Sequence, residues 1–250
     1  MVMPIPQTKF GKLFACRNRP VVYGKIPKSA CTTIQNLLYL ADTGQPYPAS
    51  LRIHGDKSAL IAHRETGAFR EAVDRSLIRF TFVRDPSRRI YSTFTQKILT
   101  PPSPAFRRAH KILTTEFGAD FGNAGSVASV EEIQQNFERF LRFVGANLRG
   151  ETSIPINLHW IPQVMLVDWY RTQLDLNFIG RVENFGADMA HVFRVADIAE
   201  DIDVSVRFNE GPASRYRFQE ILSSVSVQLI AELYARDFQE FSYAPPTLQN

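Results

Sequence analysis

The chain has 250 residues, 44% hydrophobic and 22% charged, which is ordinary globular usage with enough length for one substantial core and excludes disorder as the dominant state. Its formal net charge is +4, built from 22 Arg and 7 Lys against 25 acidic residues, and no basic run marks a nucleic-acid partner. No apolar stretch reaches the roughly 18 residues of a spanning helix, the start Met1-Val-Met-Pro-Ile-Pro6 lacks a secretory pattern, and two cysteines, Cys16 and Cys31, exclude a disulfide scaffold and fit a reducing compartment.

In chain order, Val21 to Lys25 is a short apolar run and predicts a buried strand. Ile34, Leu37, Leu38 and Ala41 then make an i, i+3, i+4, i+7 stripe, the pattern of an amphipathic helix. Leu51-Arg-Ile-His-Gly55 alternates apolar and polar residues and reads as a strand end carrying His54. A second buried strand covers Ile78 to Val83. Asp85-Pro86 supplies an N-cap and a first helical residue, opening a helix with Ile90, Phe94 and Ile98 inside. Thr100 to Pro104 and Gly118 to Ser126 read as loops. Ser129-Val-Glu-Glu132 is a capping box before the longest helix, whose buried face is Ile133, Phe137, Phe140, Leu141, Val144 and Leu148. A third strand is predicted over 177–180, and a last helix carries Leu222, Val225, Leu229, Ile230 and Leu233. This order predicts an α/β fold: a small parallel sheet heavily covered by helices, in one domain over 1–250 with frayed ends at about 1–8 and 244–250.

Two segments carry chemistry. Lys25-Ile-Pro-Lys-Ser-Ala-Cys-Thr-Thr33 lies between a strand and a helix, the topology of a phosphate-binding loop. The N–H groups of Ala30 to Thr33 point off the helix start, Lys28 adds a positive charge, and Ser29, Thr32 and Thr33 add hydroxyls. The segment has no glycine, so it is not a Walker A loop and fits fewer phosphates. On these residues alone, a plain strand-to-helix turn whose Ser and Thr cap the helix is an equal reading. Arg84-Asp-Pro-Ser-Arg-Arg-Ile-Tyr-Ser-Thr-Phe94 begins at the carboxyl end of the second strand, where ligands of open α/β sheets bind. Arg84 and Ser92, with Arg88 one helical turn before Ser92, suit a second phosphate. The alternative is an Arg84–carboxylate pair beside a neutral surface serine. Two anion sites, each after a strand, suit a nucleoside bisphosphate better than ATP.

With these residues in view, the sequence resembles the carbohydrate sulfotransferase family, the group that includes the HNK-1, chondroitin and dermatan enzymes. Pro27-Lys-Ser-Ala-Cys-Thr32 is similar to its P-K-x-x-x-T loop, and residues 84 to 94 match R-D-P-x-x-R-x-x-S-x-F at every fixed position. His159-Trp-Ile-Pro-Gln163, Phe178-Ile-Gly-Arg-Val-Glu-Asn-Phe185 and Tyr234 to Tyr243 are similar to H-W-x-P-Q, F-I-G-x-x-E-N and Y-x-x-D-F-x-x-F-x-Y. The resemblance implies a P-loop-like α/β sulfotransferase fold, the donor 3′-phosphoadenosine-5′-phosphosulfate (PAPS), the product PAP, no metal and a carbohydrate acceptor. It implies Lys28 as a catalytic cation and Lys28, Ser29, Ala30, Cys31, Thr32, Thr33, Arg84 and Ser92 as the donor site. Related enzymes use His or Glu as general base. Here His54 is the first candidate and His159 the second, while His63, His110 and His191 are read as bystanders.

The family's Golgi members carry an anchor and several disulfides; with neither legible in this sequence, the expectation is a compact, bacterial, cytoplasmic version, the alternative being a trimmed catalytic domain, without an integral membrane segment or a nucleic-acid partner. Arg207, Asn209 and Arg215 flank Gly211-Pro212, as a cofactor lid or a solvated turn. Acceptor contacts are expected from 100–128 and 150–165, where Trp160, together with Trp169 and Tyr170 beyond them, offers either sugar stacking or core packing. The rival readings are a P-loop kinase, which needs Mg²⁺ and usually a glycine-rich loop, and a non-catalytic nucleotide- or glycan-binding module. Oligomeric state is not legible.

Overall fold

The computed structural model describes residues 11–56, 58–64, 66–99, 103–122, 129–198, 202–205 and 216–248. The strands are β1 (Lys12–Ala15), β2 (Val21–Lys25), β3 (Ile61–Ala62), β4 (Ile78–Val83) and β5 (Phe178–Arg181). The helices are α1 (Cys31–Thr43), α2 (Thr66–Asp74), α3 (Pro86–Thr93), α4 (Arg107–Glu116), α5 (Val130–Leu148), α6 (Gln163–Leu174), α7 (Phe185–Val195), α8 (Phe218–Ile221), α9 (Ser224–Leu233) and α10 (Ala235–Glu240). Two compact units result. One combines Ile5–Arg84 with Gln163–Glu210 and contains the whole sheet; the other combines Asp85–Pro162 with Gly211–Asn250 and is helical among the described residues. The expected lid residues Arg207, Asn209 and Arg215 lie outside the described residues.

In the sheet unit five strands run in the order β3-β1-β2-β4-β5. The centre is parallel as expected: Val21 pairs with Ile78, Tyr23 with Phe80, and Phe80 with Phe178. The first two predicted strands have the expected bounds, and the third is shifted by one residue. The sheet is mixed at one side, because β1 pairs antiparallel with β2 and β3 antiparallel with β1. Both additions are very short, and a strand of this length carries too little alternation to be read from sequence. The hairpin from β1 to β2 closes with the Cys16 N–H donating to the Val21 carbonyl at 3.1 Å.

The α1 stripe is buried as expected, with Ile34, Leu37, Leu38 and Ala41 packed with Tyr23, Phe80, Phe82, Phe185 and Met189 in one core. Burying such side chains contributes about 1.5–3 kcal/mol each. Gly24 on β2 is there for space: a Cβ would sit 2.8 Å from the Tyr170 ring of α6. The Tyr170 hydroxyl donates to the Lys25 carbonyl, so the ring is fixed at both ends. Leu51 to Gly55 is not a strand; Ser50–Gly55 is a 3-10 turn.

In the helical unit, the Asp85 carboxylate accepts from the Arg88 N–H at 2.8 Å and Pro86 opens α3, as the sequence predicts. The helix runs on as a π turn over Phe94–Ile98, and Ile90, Phe94 and Ile98 are buried. The capping box of α5 is complete: Glu132 N–H donates to Ser129 Oγ at 3.2 Å, and Ser129 N–H donates to Glu132 Oε2 at 2.6 Å. The predicted face of α5 is buried along its length, with Phe94 packed between Phe137 and Phe140. The last predicted helix is α9, which carries Val225, Leu229, Ile230 and Leu233 as expected. Leu222 precedes α9, and the residues buried along it are Ser226 and Ile230, followed by Tyr234. Ser223 caps the helix, its Oγ accepting from the Ser226 N–H at 3.1 Å.

Overpacking of a close approach costs about 1–3 kcal/mol, so Gly24→Ala is expected to lower the melting temperature by several degrees, checked by a thermal melt. Two histidines give a pH dependence. Burial lowers the pKa of His63 and of His110 below the ordinary 6.5, and His110 also stacks on Phe121 with centroids 4.4 Å apart. The native state therefore binds fewer protons than the unfolded chain. The contribution is complete above the unfolded pKa and is lost as pH falls through the lowered native values. The melting temperature is expected to drop on acidification below about pH 6.5, and His110→Gln to flatten that drop.

Candidate active site

The chain leaves β2 at Lys25 and enters α1 at Cys31, and the five residues between turn without a glycine. Lys28 and Ala30 adopt left-handed backbone, with φ of 70° and 55°. Each such non-glycine residue costs about 1–2 kcal/mol, and strain of this kind persists only where the surroundings hold it. Ala30 is the N-cap position of α1 but supplies no side-chain cap. The first intrahelical bond is Ile34 N–H to Ala30 C=O at 3.0 Å, so Cys31 and Thr32 present their N–H groups ahead of the helix's own ladder.

Ser29 is fully buried. Its hydroxyl donates to Gln163 Oε1 at 3.1 Å, and its N–H donates to the Ile26 carbonyl at 3.3 Å. Ser29 thus shapes the turn from inside. Gln163, also fully buried, accepts from the Arg84 N–H at 2.9 Å and donates through Nε2 to the Arg84 carbonyl at 2.8 Å. The Arg84 guanidinium donates to the Lys28 carbonyl at 3.3 Å. Loop and strand end are therefore joined at two points within the sheet unit.

His54 lies along the first turn of α1. Nε2 is 2.8 Å from Thr32 Oγ1 and 3.7 Å from Cys31 Sγ; Nδ1 is 2.9 Å from Lys25 Nζ and also meets Gln35 Oε1. Lys25 only donates, so that contact holds Nδ1 as an acceptor and puts the ring proton on Nε2. Gln35 Oε1 only accepts, so that contact holds the proton on Nδ1 and leaves Nε2 to accept. The second arrangement is the one a general base requires. The strand expected here is a 3-10 turn, and it places His54 against the loop.

In the helical unit Ser92 is half-buried on α3. Arg88 does not reach toward it as a phosphate ligand would: its guanidinium lies over the Phe218 ring at 4.7 Å. Arg89, the arginine of the R-D-P-x-x-R motif, is almost completely buried and donates to the carbonyls of Ile161 at 2.8 Å and Leu158 at 2.9 Å. Thr93 donates to the His159 carbonyl at 2.9 Å, and Tyr234 to the Trp160 carbonyl at 2.8 Å. Four consecutive carbonyls, 158 to 161, thereby have donors. The His159 ring is turned to Asn157, with Nδ1 2.8 Å from Oδ1, and meets Phe106 edge-on. Trp160 and Tyr170 are core residues, which settles the choice between sugar stacking and packing for both.

Of the sequence-predicted residues, the structure brings together Lys28, Ser29, Ala30, Cys31, Thr32, Thr33, His54 and Arg84 in the sheet unit, while Ser92 and His159 belong to the helical unit. Gln163 and Gln35 were missed. Gln163 ends the H-W-x-P-Q match, which is its one sequence signal; Gln35 has none beyond its one-turn spacing from Thr32. Cys16 and Cys31 are both free thiols. Among the described residues, no group of three His, Cys, Asp or Glu side chains is placed to hold a metal ion.

The sequence model described as the sulfotransferase family matches residues 12–244. Carbohydrate sulfotransferase 12 of Mus musculus is 23% identical over 264 residues, covering 97% of this chain and 62% of that protein. Carbohydrate sulfotransferase 11 of Rattus norvegicus is 24% identical over 238 residues, covering 90% of this chain and 65% of that protein. The chain thus spans about 62–65% of the length of these relatives. No solved structure matches it significantly. Since the match runs from β1 past the end of α10 and takes in all five motifs in their order, this chain belongs to the sulfotransferase family.

Proposed function

We propose that the chain is a PAPS-dependent sulfotransferase that moves a sulfuryl group to a hydroxyl of a carbohydrate acceptor. The observation that carries this reading is the glycine-free loop before α1, with Lys28 and Ala30 held in left-handed backbone and His54 Nε2 2.8 Å from Thr32 Oγ1. The carbohydrate acceptor rests on the relatives, both of which are carbohydrate sulfotransferases. A reducing, cytoplasmic location belongs to the same proposal, supported by the two free thiols.

In the reaction the acceptor oxygen attacks sulfur, the bond from sulfur to the 5′-phosphate oxygen breaks, and PAP leaves. The acceptor proton goes to His54 Nε2, in the tautomer that Gln35 holds. Lys28 neutralises the charge that develops on the leaving oxygen. The N–H groups of Ala30 to Thr33 receive the 5′-phosphate, and the R-D-P-x-x-R-x-x-S-x-F match supports Arg84 and Ser92 as partners of the 3′-phosphate. A preorganised donor of this kind contributes about 10²–10³ in rate, and a general base about 10²–10⁴. Metal-independence is part of the proposal.

PAP is expected to raise the melting temperature equally with Mg²⁺ or EDTA, because it binds the native state. A shift seen only with ATP and Mg²⁺ would turn the reading toward a kinase. PAP binding with no turnover on any sugar would turn it toward a binding module. His54→Ala is expected to lower kcat by about 10²–10⁴ with PAP affinity retained, whereas His159→Ala keeps turnover. Full turnover by the His54 variant would remove it as the base. Arg84→Ala is expected to weaken PAP by roughly 1.5–3 kcal/mol, read by calorimetry.

A further inference from the structure

We propose that Gln163 is a positioning residue that fixes the register between the donor loop and the strand end bearing Arg84, so that the two phosphates of one nucleotide are read together. This rests on the functional reading above. The amide is fully buried at the first position of α6, where an unmet hydrogen bond costs most. Its oxygen has two lone pairs, and both are used, by Ser29 Oγ at 3.1 Å and the Arg84 N–H at 2.9 Å. Its nitrogen donates to the Arg84 carbonyl at 2.8 Å. Paired this way with one residue's N–H and C=O, the side chain imitates a neighbouring strand and fixes both peptide planes that flank Arg84.

The same oxygen reaches the loop through Ser29, next to the left-handed Lys28, whose carbonyl takes the Arg84 guanidinium at 3.3 Å. A closed chain of contacts results: Gln163 to Ser29, along the backbone to Lys28, across to Arg84, and back to Gln163. Moving either segment by an ångström breaks one of these bonds, and the Ser29–Gln163 bond is buried from water. Lys28 and Arg84 carry the charges proposed to meet the two ends of the nucleotide. The ring of contacts therefore sets their spacing, and misplacement on this scale costs about 10²-fold in rate.

The test compares PAP with adenosine 5′-phosphate, which lacks the 3′-phosphate, by calorimetry on the full chain. The wild type is expected to prefer PAP. Gln163→Glu keeps the acceptors for Ser29 and the Arg84 N–H but loses the donor to the Arg84 carbonyl. At neutral pH its PAP preference is expected to fall tenfold or more while the protein still melts cooperatively, and kcat is expected to fall more than KM rises. Lowering the pH to protonate the introduced carboxyl restores a donor and is expected to recover part of the preference, which the wild type does not show. A folded variant with wild-type preference at both pH values overturns the proposal. Should that variant not fold, Ser29→Ala removes only the loop arm; a several-fold loss of preference supports the proposal and an unchanged preference overturns it. A wild type with no preference for PAP would sink the functional reading itself, and the role of Gln163 with it.

Discussion

Five residues must carry the chain from the end of β2 to the start of α1, and none of them is glycine. This constraint forces Lys28 and Ala30 into left-handed backbone, at about 1–2 kcal/mol each. The loop holds that shape because its surroundings leave it no other: Ser29 is tied to Gln163, the Lys28 carbonyl to Arg84, and the Lys25 carbonyl to Tyr170. A glycine-rich loop would reach the same shape without strain, but it would also reach others. The stiffer version suits a site that stabilises charge by fixed donors rather than by donors that must reorganise.

The helical unit solves a different problem. Residues 158–161 run as irregular backbone through a well-packed region, where Trp160 and Ile161 are almost completely buried. Their carbonyls would be orphaned without donors. Arg89 supplies two, Thr93 one and Tyr234 one. The indole N–H of Trp160 is met by Asn147 at 2.7 Å. Three sequence motifs, R-D-P-x-x-R, H-W-x-P-Q and the terminal Y-x-x-D-F, thus meet in one hydrogen-bonded arrangement. Arg89 is almost completely buried, whereas Arg84 in the same motif is only partly so.

Much of the fold was legible because strong local signals agreed with tertiary packing. The runs Val21 to Lys25 and Ile78 to Val83, the Asp85-Pro86 start and the Ser129 capping box all appear at their predicted positions. The weak signals were those decided by distant partners. β3 has two residues and exists only because β1 lies beside it. The 3-10 turn at His54 overrode a two-residue alternation. Leu222 falls just before α9 because Ser223, the next residue, is its cap. Of the site, the loop and Arg84 were readable from strand-loop-helix order. Gln163 was not readable as a tether, since a buried glutamine's role depends on what lies opposite it.

The sheet unit is built from two stretches of chain with the first helices of the other unit between them. β4 acquires its outer neighbour only when β5 is made; Arg79 and Asn177, which bond at that seam, are 98 residues apart. During synthesis β4 is therefore an open edge rich in phenylalanine, the kind of template that invites pairing with another chain. Non-local pairing of this type also slows folding. The late arrival of Phe178 to Arg181 makes this chain intolerant of early termination: a product ending before β5 keeps most of its core residues but leaves that edge uncovered. It would be recovered as aggregate rather than as a smaller native protein.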